Sequence, residues 1–148
     1  MFVPEGFEPP LGLVASGFRL EPLGPRHNEL DYAAWSSSIE HIRSLPGFGP
    51  AGEWPRPMSP DENLADLERH ASDFAGRTGF TYTVLDAADD VIGCVYVYPA
   101  GDGRHDARVL SWVRASRSEL DPALRGVVAK WLTSTWPFER PLYEPLLG

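Results

Sequence analysis

Cysteine is almost missing: Cys94 is the only one in 148 residues. A lone cysteine excludes an internal disulfide and any zinc site built on several thiolates. Positive charge is scarce too. Thirteen Lys and Arg stand against 21 Asp and Glu, a net charge of −8. That balance gives no field to hold nucleic acid or an anionic membrane, so neither is expected as a partner. No apolar run nears the ~18 residues of a membrane span. The start, Met1-Phe2-Val3-Pro4-Glu5, carries no basic segment, and Glu8, Pro9 and Pro10 interrupt the next stretch, so no secretory leader is expected and the protein reads as cytoplasmic. The four histidines, His27, His41, His70 and His105, share no metal-binding spacing, and no metal site is expected.

What is present is an apolar share of 43% with 11% aromatic residues, enough for a packed core in one domain spanning 1–148. The 15 prolines fall between periodic segments and act as punctuation. Residues 1–16 read as an irregular arm. Phe18–Leu23 alternates as a half-buried strand does. Pro25 suits a helix start, and Tyr32, Trp35, Ile39 and Ile42 mark one helix face running to Leu45. Residues 46–57 are rich in Gly and Pro and form a loop long enough to serve function. Ser59, Pro60 and Glu62 make a capping box for a second helix, with Leu64, Leu67, Ala71 and Phe74 facing inward.

Phe80–Leu85, Val91–Tyr98 and Val109–Val113 read as three antiparallel strands, the middle one covered on both faces. Asp121 is placed as the N-cap of a third helix, with Leu124, Val127, Val128, Trp131 and Leu132 on one face. Pro141–Tyr143 is a short final strand. The expected class is α+β, with helices on both faces of a mixed, mostly antiparallel sheet. Cys94 lies in a buried apolar strand and reads as core. The junction from strand to helix between Arg108 and Leu132 is the kind of place where bare helix N–H groups hold a phosphate.

This order of elements, with the strand textures Val91-Ile92-Gly93-Cys94-Val95-Tyr96 and Ala107-Arg108-Val109-Leu110-Ser111-Trp112-Val113, resembles the Gcn5-related N-acetyltransferase (GNAT) superfamily over about residues 16–143. The resemblance implies an acyl-CoA-dependent N-acetyltransferase with a small amine as acceptor and acetyl-CoA as cofactor. It puts Trp112 and the backbone of Val113 beside the thioester, and Arg114, Arg117, Ala123 and Arg125 beside the diphosphate. Phe48, Trp54 and Tyr96 line the amine side. The glycine-rich diphosphate signature has its place at Ser118–Ala123, where only Ala123 matches. Asp121 and Glu119 would repel a diphosphate there, and Pro122 lacks a donor. Arg108 holds the place of a glutamate that acts as base, and arginine accepts no proton. Asp106 is the nearest substitute, and Tyr143 is the candidate general acid, with Tyr96 and Tyr98 as alternatives. The family usually continues beyond the place of Gly148. A shortened form is therefore implied, with an open sheet edge that a homodimer would cover. These departures sustain a second expectation, a catalytically degenerate GNAT-like module that binds a small ligand or a protein partner.

Overall fold

The structure is a computed structural model and describes residues 1–49 and 53–144. Strand β1 (Leu13–Ala15) turns through Gly17, in the left-handed region at φ 89°, into β2 (Phe18–Pro22). A 3-10 turn (Pro25–His27) leads into α1 (Asn28–Ser36), α2 (Ile39–Arg43) and α3 (Pro60–Ala75). The meander β3 (Phe80–Asp86), β4 (Val91–Tyr98) and β5 (Ala107–Val113) comes next. A second 3-10 turn (Ala115–Leu120), α4 (Asp121–Ser134) and β6 (Pro141–Tyr143) complete the described chain. The strands lie in sequence order in one sheet. All neighbours are antiparallel except β5 and β6, which are parallel.

The α+β class and the mixed sheet agree with the sequence. Three details differ. The arm 1–16 is not wholly irregular, because its end pairs with β2 as a hairpin strand. The helix read as running to Leu45 is broken after Ser36. The Ser37 hydroxyl bonds back to the carbonyls of Ala33 and Ala34, and the Ser38 hydroxyl accepts from the Ala115 N–H, so both serines compete with helix continuation. Thirdly, Asp121 does not cap α4. Leu120 holds the cap position with helical dihedrals, and the Asp121 carboxylate turns to Arg125 instead.

Two layers of side chains sit on the sheet. One face packs Tyr82, Val95, Val109 and Val113 under Leu124, Val128 and Trp131 of α4, and the arm closes that layer with Val3. The Tyr82 hydroxyl donates to the Pro10 carbonyl at 2.6 Å, fastening the arm down. The other face packs Cys94 and Trp112 under Trp35, Ile42 and Leu67 of α1, α2 and α3. The Ser59–Glu62 capping box forms as expected, each side chain meeting the other's backbone N–H. It starts α3 where its inward residues face the sheet.

Candidate functional site

Alternation along β4 and β5 puts Cys94, Tyr96 and Tyr98 on one face with their cross-strand partners Trp112, Leu110 and Arg108. A cleft of about 480 Å³ opens on that face, walled by α1, α3 and the loop residues Gly47, Phe48, Glu53 and Trp54. The return limb of the loop is tied down by the Tyr32 hydroxyl, which donates to the Met58 carbonyl at 2.6 Å, and by Arg43 Nε, which donates to the Pro55 carbonyl at 2.9 Å. Phe48, Trp54 and Tyr96 meet pairwise with ring centroids 5.9 to 6.3 Å apart. Residues 50–52 of the predicted loop lie outside the described residues.

At the cleft's inner wall sits Asp31, only 3% exposed. Its Oδ2 accepts from Asn63 Nδ2 at 3.0 Å. Asn63 is fully used: Nδ2 also donates to Asn28 Oδ1, and Oδ1 accepts from Trp35 Nε1. Among the described residues no other side chain donates to Asp31. Burial pushes its pKa up to about 6, the nearby Asp66 charge adds to this, and the Asn63 bond partly offsets it. Neither Asp31 nor Asn63 stood out in the sequence, yet the signal was there. Asp31 lies four residues before Trp35, in the same stripe as Ile39 and Ile42, and Asn63 lies four before Leu67. A polar residue inside an apolar stripe is a buried one.

His70 lines the same cleft. Its Nδ1 lies 2.9 Å from the Thr81 hydroxyl and 3.1 Å from the Tyr98 hydroxyl, which donates to Asp73 at 2.9 Å. Burial, with the Arg69 charge, lowers the His70 pKa to about 4, so the ring is neutral at pH 7.

Of the side chains picked from the sequence, Phe48, Trp54 and Tyr96 come together in this cleft. Trp112 lies beneath them, fully buried, and its Nε1 donates to the Tyr96 hydroxyl at 2.9 Å. Tyr143 is on the opposite face of the sheet, under α4, where its hydroxyl meets Ser111 at 2.6 Å and its ring lies beneath Arg125. Burial raises its pKa to about 12. Asp106 is outside the cleft. Its carboxylate accepts from the N–H groups of Glu139 and Arg140, tying β5 to the chain entering β6.

The far end of β5 holds the remaining residues. Arg114 N–H donates to the Ile92 carbonyl at 2.8 Å, so the alternate Val113 N–H points away from β4, towards the β6 side. Arg114 Nη1 donates to the Val91 carbonyl and lies 3.7 Å from Asp90. Arg117 binds Asp86 at 2.8 Å. Arg125, 9% exposed, binds Asp121 at 2.8 Å and donates to the Glu144 carbonyl. Ala123 is exposed in the first turn of α4.

No family model matches the chain, and no curated protein matches it in sequence. Solved structures do match in fold. A ribosomal-protein alanine acetyltransferase from Vibrio fischeri superposes with a TM-score of 0.65 at 12% identity, over 83% of this chain and 67% of that one. MccE, a microcin self-immunity acetyltransferase solved with acetyl-CoA and AMP, gives 0.62 at 14% identity, over 86% and 71%. RimL, a ribosomal-protein acetyltransferase solved with coenzyme A, gives 0.61 at 11% identity, over 80% and 66%. This is the GNAT fold. The chain spans about two thirds of the length of these GNAT structures.

Within the GNAT fold, acetyl-CoA would need a cradle of free N–H groups where β5 runs into α4. The residues present do not fit its diphosphate. The connection is wound into the 3-10 turn 115–120, and two of the donors there turn inward: Arg117 N–H meets the Arg114 carbonyl, and Asp121 N–H meets the Ser118 carbonyl. Pro122 has no donor. The arginines near Glu119 and Asp121 are held by Asp86, Asp90 and Asp121 itself. No helix among the described residues is long and apolar enough to cross a membrane.

Proposed function

We propose that the protein binds a small amine in the cleft between β4, β5, α1 and α3, and that the GNAT fold here serves recognition without an acetyl-CoA diphosphate site. The observation that carries this reading is Asp31: a buried carboxylate, held by one donor, at the inner wall of an aromatic cleft. Holding such a charge largely out of solvent is costly unless a cation meets it. An ammonium group supplies that charge, and the rings of Phe48, Trp54 and Tyr96 offer faces to the carbon next to it.

The test is calorimetric titration of phenethylamine, tyramine and hexylamine, and separately of acetyl-CoA and coenzyme A. The amines should saturate the protein and change its tryptophan emission, a change absent in Trp54→Phe, while the corresponding alcohols do not. Neither CoA compound should bind at millimolar concentration. Absence of amine binding overturns the first half of the reading, and saturable micromolar binding of acetyl-CoA the second.

N-acetyl transfer to the same amine is the second reading. It is favoured by the fold neighbours, each an acetyltransferase and two of them solved with CoA or acetyl-CoA. It predicts acetylated product when an amine panel is incubated with acetyl-CoA. No product with folded protein counts against it.

A further inference from the structure

We infer that the ligand of this cleft carries an anionic group as well as its amine, and that Arg108 receives it: an elongated amino acid with its two charges far apart. The inference rests on the amine reading above and extends it to the other end of the cleft. Asp31 is buried and Arg108 is exposed, and both line the cleft, so the two charges stand at its inner wall and its rim. Arg108 stands opposite Tyr98, on the face of the sheet that carries Tyr96 and Cys94.

Arg108 is exposed at the cleft and has no ion-pair partner among the described residues. Arg114, Arg117 and Arg125, from the same stretch of chain, each have one. Arg69, on the opposite wall, is flanked by Asp66 and Asp73. Of the two arginines that line the cleft, Arg108 is the one without an acid among the described residues, and its planar fork fits a carboxylate. Close to it, Gly47 adopts φ 88°, and a Cβ there would run into Leu110 and come within 3.2 Å of the Arg108 guanidinium. The glycine thus leaves the arm of Arg108 free at the rim. The rings of Phe48, Trp54 and Tyr96 line the same cleft, so the part of the ligand joining amine and acid is apolar.

The test compares aminohexanoate and aminooctanoate with hexylamine and octylamine, by calorimetry on the full chain. The amino acids should bind about tenfold more tightly than the amine of equal length, the worth of one charge-assisted contact. Glycine, whose charges are too close together, should gain nothing. Arg108→Gln, at an exposed position, should abolish the gain without weakening alkylamines, since it removes a cation that repels their ammonium group. Equal affinity of amino acid and amine in the wild type overturns the inference and leaves the amine reading standing. A gain that survives Arg108→Gln overturns it as well. If neither amines nor amino acids bind, both readings fall together.

Discussion

The side-chain amide of Asn63 donates to the carboxylate of Asp31 across 3.0 Å, joining α3 to α1 from 32 positions away in sequence. The same amide's oxygen receives the indole N–H of Trp35. One residue therefore satisfies two buried groups of α1 and fixes the orientation of the carboxylate in the cleft. Asn63→Leu leaves both groups unpaired. We expect a loss of about 3 kcal/mol in urea unfolding, the sum of two unsatisfied buried groups. Asn63→Leu should also weaken amine binding, because the carboxylate is no longer held.

Acid titration separates Asp31 from His70. The Asp31 pKa rises on folding from 3.8 to about 6, so between these values the folded state binds more protons than the unfolded one. Its contribution to stability therefore grows as the pH falls from 6 to 4. The His70 pKa falls on folding from 6.5 to about 4, so its contribution is lost over nearly the same range as the pH falls. The two slopes oppose each other in the wild type. Asp31→Asn removes one. The variant should be more stable than wild type at pH 7.5, by up to about 3 kcal/mol, and should converge with it near pH 4. Urea midpoints at the two pH values check this, and the same variant should no longer bind amines.

Asp121 and Arg125 form a pair within one helix face, both largely shielded from water. An N-cap aspartate would tolerate replacement by glycine at a cost of a few tenths of a kcal/mol. A paired aspartate would not, because Arg125 would be left buried without its acid. Asp121→Gly is therefore expected to cost about 3 kcal/mol, read by thermal or urea unfolding. It should create no affinity for coenzyme A, since Pro122 has no donor and the N–H groups of Arg117 and position 121 are bonded within the turn.

Tyr143 and the cleft lie on opposite faces of the sheet. Tyr143→Phe should lower stability by about 1 kcal/mol through the lost bond to Ser111, and should change amine affinity by less than about twofold. A large fall in affinity with stability unchanged would contradict the placement of the site.

Trp54 is a test of the wall. Trp54→Ala should weaken amines by about five- to tenfold, the worth of a partly exposed cation–π contact. The effect should be larger for aryl amines than for alkyl ones, as a calorimetric series would show.

Local chemistry made much of the fold legible. Ser59, Pro60 and Glu62 define the start of α3 wherever that segment is placed, because a capping box closes on itself. Val91–Tyr98 reads as a covered strand because it is apolar at nearly every position. The stripe at Leu124, Val128, Trp131 and Leu132 marks the buried side of α4 for the same reason. Phe48, Trp54 and Tyr96 were also reachable, since aromatic residues on a long loop and on a central strand have few places to go.

Partnership was not legible, because it joins residues far apart in sequence. Nothing near Arg117 says that Asp86 will hold it, and nothing near Arg114 points to Asp90. Asp121 read as a cap because the sequence shows only its neighbours, while its dihedral setting depends on the turn that precedes it. Asp106 looked available as a base until β6 brought two backbone donors to it. The elements, their order and the sign of the protein's charge are set by spacing and composition, and the chain carries those in one dimension. Which charges are spent on one another, and which, like Asp31 and Arg108, are left facing a cleft, depends on three-dimensional packing, because a side chain's water is removed by whatever folds over it.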